Sequence, residues 1–230
     1  MEQMLSRQEA SEAVQDHGWR FLLGTLHTSV AVASLAQAIG LAADAVAVCG
    51  DDADRHLRVD ARPDRVVFTL QSSDRAAITA RDVELAHRIS AAADESGFPT
   101  EPAIGTGAPR SVQLLEIAVD ALDIAGIRPF WKAVLGYADE AGAEGPEDPL
   151  VDPVGQGPAV WIQQMVRARP QRNRIHFDIC VPHDEAPQRI EAALAAGGRL
   201  VSATRAPAFW VLADLEDNEV CVTTWQGRDS

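Results

Sequence analysis

After residue 111 one pattern occurs twice. SVQLLEIAV reads as a strand, DIAGIRPFWKAVLGY as a helix closing near Gly136, and short strands follow, ending in PAVWIQQM. RIHFDICV is again a strand, DEAPQRIEAALAAGG a helix ending on glycines, and RLVSA, AFWVLAD and NEVCVTT are three more strands. Apolar residues at spacings of three and four mark the helices, and β-branched alternation marks the strands. A tandem repeat limits the fold more than any single element does, because each copy must bury its apolar face in the same way. The second half is therefore expected to be two βαβββ units.

Side chains alternate across a strand, so one register sorts each strand into two faces. In RIHFDICV, Ile175, Phe177, Ile179 and Val181 share the face expected under the helix, and Arg174, His176, Asp178 and Cys180 share the other. Leu115, Ile117 and Val119 oppose Glu116; Val160 and Ile162 oppose Trp161 and Gln163; Val220 and Val222 oppose Glu219, Cys221 and Thr223. If the two units curl about one hollow, Glu116, Gln163, His176 and Glu219 or Cys221 converge in it. Carboxylate, imidazole and a further oxygen or sulfur donor suit Zn²⁺ or a related divalent ion. A pocket without metal is the other reading, since four of the five tryptophans, Trp131, Trp161, Trp210 and Trp225, lie in this half, and aromatic walls are usual in small-molecule pockets.

The stretch 98–111, FPTEPAIGTGAPRS, holds three prolines and two glycines without apolar period and reads as a linker. It separates a domain at 1–97 from one at 112–230. The first domain reads helix, two strands, helix, two strands, helix: an antiparallel sheet against helices, hence α+β. Its helices carry their own start signals. Ser34 is placed to cap the alanine-rich 34–48, and Thr79 with Asp82 three residues on forms a capping box.

A formal net charge of -14, with Lys132 the only lysine, excludes nucleic acid and anionic membrane as partners, because phosphates must be met by clustered cations. No apolar run approaches the roughly 20 residues of a membrane span, and the N-terminus lacks a signal-peptide pattern. Three scattered cysteines, Cys49, Cys180 and Cys221, make no disulfide framework. A cytoplasmic protein with a small-molecule ligand is expected.

LEIAVDALDIAGIRPFWKAVLGY, RNRIHFDICV and ADLEDNEVCVTTW resemble the vicinal oxygen chelate proteins, the glyoxalase, bleomycin-resistance and extradiol dioxygenase group. The resemblance implies metal ligands at four strand positions, here Glu116, Gln163, His176 and Cys221, with Glu219 two residues before the last. The aromatic reading sets Trp131, Trp161 and Trp210, with Gln163, against a ligand, and Glu116 and His176 are the catalytic candidates of this half.

GWRFLLGTL, DDADRHLRV and TLQSSDRAAITARDVELAHRI resemble pterin-4a-carbinolamine dehydratase. That family carries a His-His-Pro run entering a strand and a third histidine nine residues before a helix-opening aspartate, groups that move protons as a hydroxyl leaves the pterin. Asp51, Asp52 and Ala53 align with the run, Ser73 with the third histidine, and Asp82 with the aspartate. A degenerate dehydratase site at Asp51, Asp52 and Asp82, with Ser73 touching ligand, is the resulting expectation; His56 falls two residues beyond the run.

Two function classes follow. One is a lyase-like or metal-dependent enzyme acting on a pterin-like or other cyclic metabolite, its working pocket in the second domain. The other is a non-catalytic binding or resistance protein that uses the aromatic cavity, with the first domain serving assembly. Both resemblances imply a homodimer or larger homo-oligomer.

Overall fold

A computed structural model describes residues 3–104, 110–168 and 175–227. The chain divides into two compact units, Met1–Leu114 and Leu115–Ser230. No helix among the described residues is long and apolar enough to cross a membrane.

The first unit begins with α1 (Arg7–Val14), whose start is a full capping box: Glu9 N–H donates to Ser6 Oγ and Ser6 N–H to the Glu9 carboxylate. Then come β1 (Arg20–Leu22) and β2 (Thr25–Ala31), joined by a two-residue turn with positive φ at Leu23 and Gly24, as the right-handed twist of a hairpin favours. α2 (Leu35–Cys49) is capped by Ser34, as expected. A 3-10 turn (Gly50–Asp52) and the short α3 (Ala53–His56) lead into β3 (Leu57–Arg62) and β4 (Arg65–Leu70), and α4 (Ala80–Glu95) closes the order. The sheet is antiparallel, ordered β1-β2-β4-β3. Val66, Phe68 and Leu70 alternate inward from β4 onto Leu41, Ala45, Leu85 and Ile89. Trp19 is wholly buried in this core, its indole N–H donating to Ser90 Oγ.

The stretch expected to link the halves has pairings of its own. Glu101 exchanges both backbone hydrogen bonds with Ser29 on β2, and β5 (Ala103–Ile104) pairs with β6 (Arg110–Ser111).

The second unit has the expected repeat. β7 (Glu116–Ala121), α5 (Ile124–Leu135), β8 (Ala138–Asp139), β9 (Leu150–Val151) and β10 (Ala159–Gln164) form a sheet ordered β7-β10-β9-β8. β11 (Phe177–Cys180), α6 (Ala186–Ala195), β12 (Arg199–Arg205), β13 (Phe209–Ala213) and β14 (Glu219–Thr223) form β11-β14-β13-β12, the same order again. In each copy the first strand lies parallel to the last. The fold is α+β, an antiparallel sheet with helices followed by tandem βαβββ copies. One core serves both copies: Val119, Ile127, Phe130, Trp131, Val160, Leu212, Val220 and Val222 are all buried in it. β7 starts at Glu116, later than the strand expected from Ser111, and Leu115 is exposed just outside it.

Candidate functional site

In the first unit the chemistry gathers where α2 ends. Gly50 takes a positive φ there, so the chain turns through Asp51 and Asp52 into α3. Asp51 is exposed. Asp52 accepts from Arg81 Nε at 2.7 Å and from Arg55 at 3.2 Å, and the Arg81 guanidinium holds its carboxyl below the usual carboxylate range. It is a carboxylate ion-paired to two arginines.

Four residues on, α3 delivers His56 into the protein. His56 Nδ1 lies 2.8 Å from Asp82 Oδ1, and both side chains are buried, at 3% and 0% exposure. Asp82 Oδ2 meanwhile accepts from Thr79 N–H at 2.7 Å and from Thr79 Oγ at 2.8 Å. The carboxylate can accept at both oxygens, with His56 Nδ1 placed to donate to Oδ1. β4 and its extension hold the far side: Gln71 N–H donates to His56 O and Ser73 N–H to Arg55 O, each at 3.0 Å. Of the residues expected here, Asp82 meets His56, Asp52 is tied to Arg55 and Arg81, and exposed Ser73 reaches the cluster through its backbone N–H on Arg55 O. The signal for His56 was in the chain, since it immediately precedes the strand Leu57–Arg62, the place where the family's run enters its strand.

In the second unit, strand parity decides what faces where. Ile117, Val119 and Ala121 turn to the core; Glu116 and Ala118 are exposed on the other face. The parallel register sets Ala159 beside Glu116, Trp161 beside Ala118 and Gln163 beside Asp120. Glu116 and Gln163 consequently share a face but stand four residues apart along the strands, roughly 13 Å. In the second copy Asp178 lies beside Cys221, and Cys180 beside Thr223.

His176, just before β11, completes a group there. Its Nδ1 is 3.5 Å from Asp178 Oδ1 and 3.8 Å from Cys221 Sγ, and one ligand atom from each of the three residues lies within 4.8 Å of the others. His176 and Asp178 are exposed, Cys221 is buried. Imidazole, carboxylate and thiol together fit a borderline divalent ion such as Zn²⁺. Among the described residues this is the one such group; Asp178, on the His176 face by parity, was not among the ligands expected. Glu219 lines a hollow of about 310 Å³ with Asp120, Ile175 and Asn218.

The tryptophans divide. Trp131 is buried on α5, and its indole N–H donates to Asp214. Trp210 pairs with Val222 and packs on the core, the face away from His176. Trp161 is half-buried on the Gln163 face. Trp225 is exposed and donates to His183 Nδ1 at 3.2 Å.

Comparison with known proteins follows this division. Residues 3–92 match the family model of pterin 4 alpha carbinolamine dehydratase, and residues 116–223 match that of a glyoxalase-like domain. The chain joins a pterin carbinolamine dehydratase domain to a glyoxalase-like domain. Among solved structures, a glyoxalase/bleomycin resistance protein/dioxygenase family enzyme from Burkholderia phytofirmans PsJN is similar at 16% identity, over 49% of this chain and 98% of that one, with a TM-score of 0.41. The fosfomycin resistance protein FosX from Mesorhizobium loti is similar at 11% identity, over 49% and 91%, with a TM-score of 0.40. A mutant FosX from Listeria monocytogenes, complexed with Mn(II) and 1S,2S-dihydroxypropylphosphonic acid, is similar at 12% identity, over 48% and 88%, with a TM-score of 0.38. No curated protein matches the chain.

Proposed function

We propose that the protein is a small-molecule enzyme whose glyoxalase-like domain works with a divalent ion held by His176, Asp178 and Cys221. The observation that carries this reading is the meeting of three ligand atoms of different chemical kinds within 4.8 Å, where the start of β11 lies beside β14. Such an ion, when bound, supplies Lewis acidity to a substrate oxygen. The chain's own groups do the rest. Glu219, on the same face of β14 two residues before Cys221, accepts or returns a proton. Trp161 and Gln163 give the first copy's share, a flat apolar wall and an amide that can both donate and accept; Glu116 stands on the same face. A small oxygenated cyclic metabolite suits that inventory.

Elemental analysis of the purified full chain, with Zn²⁺ and Mn²⁺ titrations, tests the reading. About one equivalent of tightly held ion is expected, lost when His176→Ala and Cys221→Ser are combined. Equal, weak binding by both proteins would defeat it.

A second reading rests on its own observation, the buried His56–Asp82 pair. In it the dehydratase-like domain keeps one proton-handling imidazole and removes water from a pterin carbinolamine, His56 Nε2 exchanging the proton while Asp82 fixes the ring. Turnover of a carbinolamine that is lost in His56→Ala, while the unfolding midpoint holds, supports it; no turnover by the unaltered protein removes it. A protein that binds pterins without turning them over, and holds no metal, would be the binding or resistance protein instead.

A further inference from the structure

On the helix-bearing side of β11, away from His176, the glyoxalase-like domain contains a cavity of about 420 Å³, within the usual range of small-molecule sites, about 300–1,000 Å³. Ile117 and Val160 line it from the first sheet, Phe177 and Ile179 from the second, with Leu135 and Pro158. Ile117 and Val160 are register partners, and Phe177 and Ile179 pair with the buried Val220 and Val222. These are the inward faces of both sheets, whereas His176, Asp178 and Cys221 use the outward one.

Three of the acidic and phenolic residues on the wall have work within the fold. Asp152 accepts backbone N–H bonds from Val154, Gln156 and Gly157 at 2.7–2.9 Å. Tyr137 donates its hydroxyl to Pro158 O at 3.0 Å. Asp178 turns to His176 on the other face. Arg189, on α6, differs from these. Its Nη1 donates to Val134 O at 3.2 Å, at the carboxyl end of α5. Its guanidinium lies over Gly136, where an added Cβ would stand 2.9 Å from Cζ, Nη1 and Nη2 alike. A glycine and a helix-end carbonyl thus seat the group using one of its five N–H bonds. It is the only cation among the described residues lining the cavity.

We infer that this cavity binds a small amphipathic monocarboxylate. The ligand's carboxylate meets the free edge of Arg189, whose planar fork matches two oxygens, and its hydrocarbon part lies against Val160, Phe177 and Ile179. An ammonium head would face the fixed guanidinium and be repelled; an uncharged head would leave it without an anion. The inference does not depend on a metal at His176.

Isothermal titration of the full chain with octanoate, 1-octanol and octylammonium tests it. Octanoate is expected to bind about tenfold or more tightly than the other two, the size of one charge-assisted bidentate contact. Arg189→Gln is expected to erase that preference, and Arg199→Gln, which removes a surface partner of Asp217, to leave it intact. Octanoate binding no tighter than octanol, or unchanged octanoate binding by Arg189→Gln, would overturn the inference. Should Arg189→Gln not fold, the comparison of the three ligands on the unaltered chain decides, together with Ile179→Trp, which fills the hollow: octanoate binding retained in that variant would also overturn it.

Discussion

At His27 the dehydratase-like domain holds an imidazole in the middle of its sheet. Nε2 is 2.6 Å from Thr25 Oγ and Nδ1 3.2 Å from Thr69 Oγ, and burial, reinforced by the Arg58 charge, pushes its pKa down to about 4. The folded protein therefore binds fewer protons than the unfolded chain between that value and the ordinary 6.5. The stabilising contribution is complete above 6.5 and is lost as the pH falls toward 4, amounting to about 3 kcal/mol in the order-of-magnitude sense. Urea unfolding from pH 7 to 4 is expected to show this loss, with a shallower slope in His27→Gln; an identical slope would clear His27 of the effect. At Asp82 the carboxylate has three donors, from His56 and twice from Thr79. Asp82→Asn sets an amide N–H against one of them and is expected to cost about 1–3 kcal/mol, the penalty of a buried donor without acceptor, read as a lower urea midpoint. Asp82 was legible from the sequence because a capping box is a local pattern. The His56 contact was not, since it joins residues 26 apart and depends on how α3 turns.

Helices and strands were the legible scale. Alternation placed Ile117, Val119, Val160 and Ile162 inward and Gln163 outward, and the burial of β7 and β10 follows that parity. The start of α2 at Ser34 came from its cap. What escaped were features that need a partner: where β7 begins, how far apart Glu116 and Gln163 stand along their strands, and that Trp210 turns to the core while Asp178 joins His176. Each is set by cross-strand register, which a single strand does not contain. Two glycines show how local context sets opposite signs for one substitution. Gly136 ends α5 at φ 72° beneath the Arg189 guanidinium, so Gly136→Ala is expected to destabilise by about 1–2 kcal/mol from backbone conformation alone. Gly40 sits inside α2 with nothing within 4 Å of an added Cβ, so Gly40→Ala is expected to stabilise by about 0.5–1 kcal/mol. Thermal midpoints moving the same way in both variants would contradict this.

Over the whole molecule two cores do not mix: one gathers Trp19, Phe68 and Leu85, the other Phe130, Trp131 and Val222. Each candidate site also lies inside a single unit. His56 and Asp82 belong to the first, and His176, Asp178 and Cys221 all come from the second copy of the repeat in the second. A unit with its own core, and with the buried side-chain polar atoms of its described residues paired, satisfies the conditions for folding alone. Fragments 1–114 and 115–230 are therefore expected to unfold cooperatively in urea, with denaturant slopes that sum to about that of the intact chain, because the slope follows the surface exposed. Fragment 115–230 is further expected to take up Zn²⁺ with the affinity of the full protein, since no ligand is left behind. A fragment that folds but binds at least about tenfold more weakly would mean that the ion draws a ligand from the dehydratase-like half, and the three-residue group would then be only part of the site.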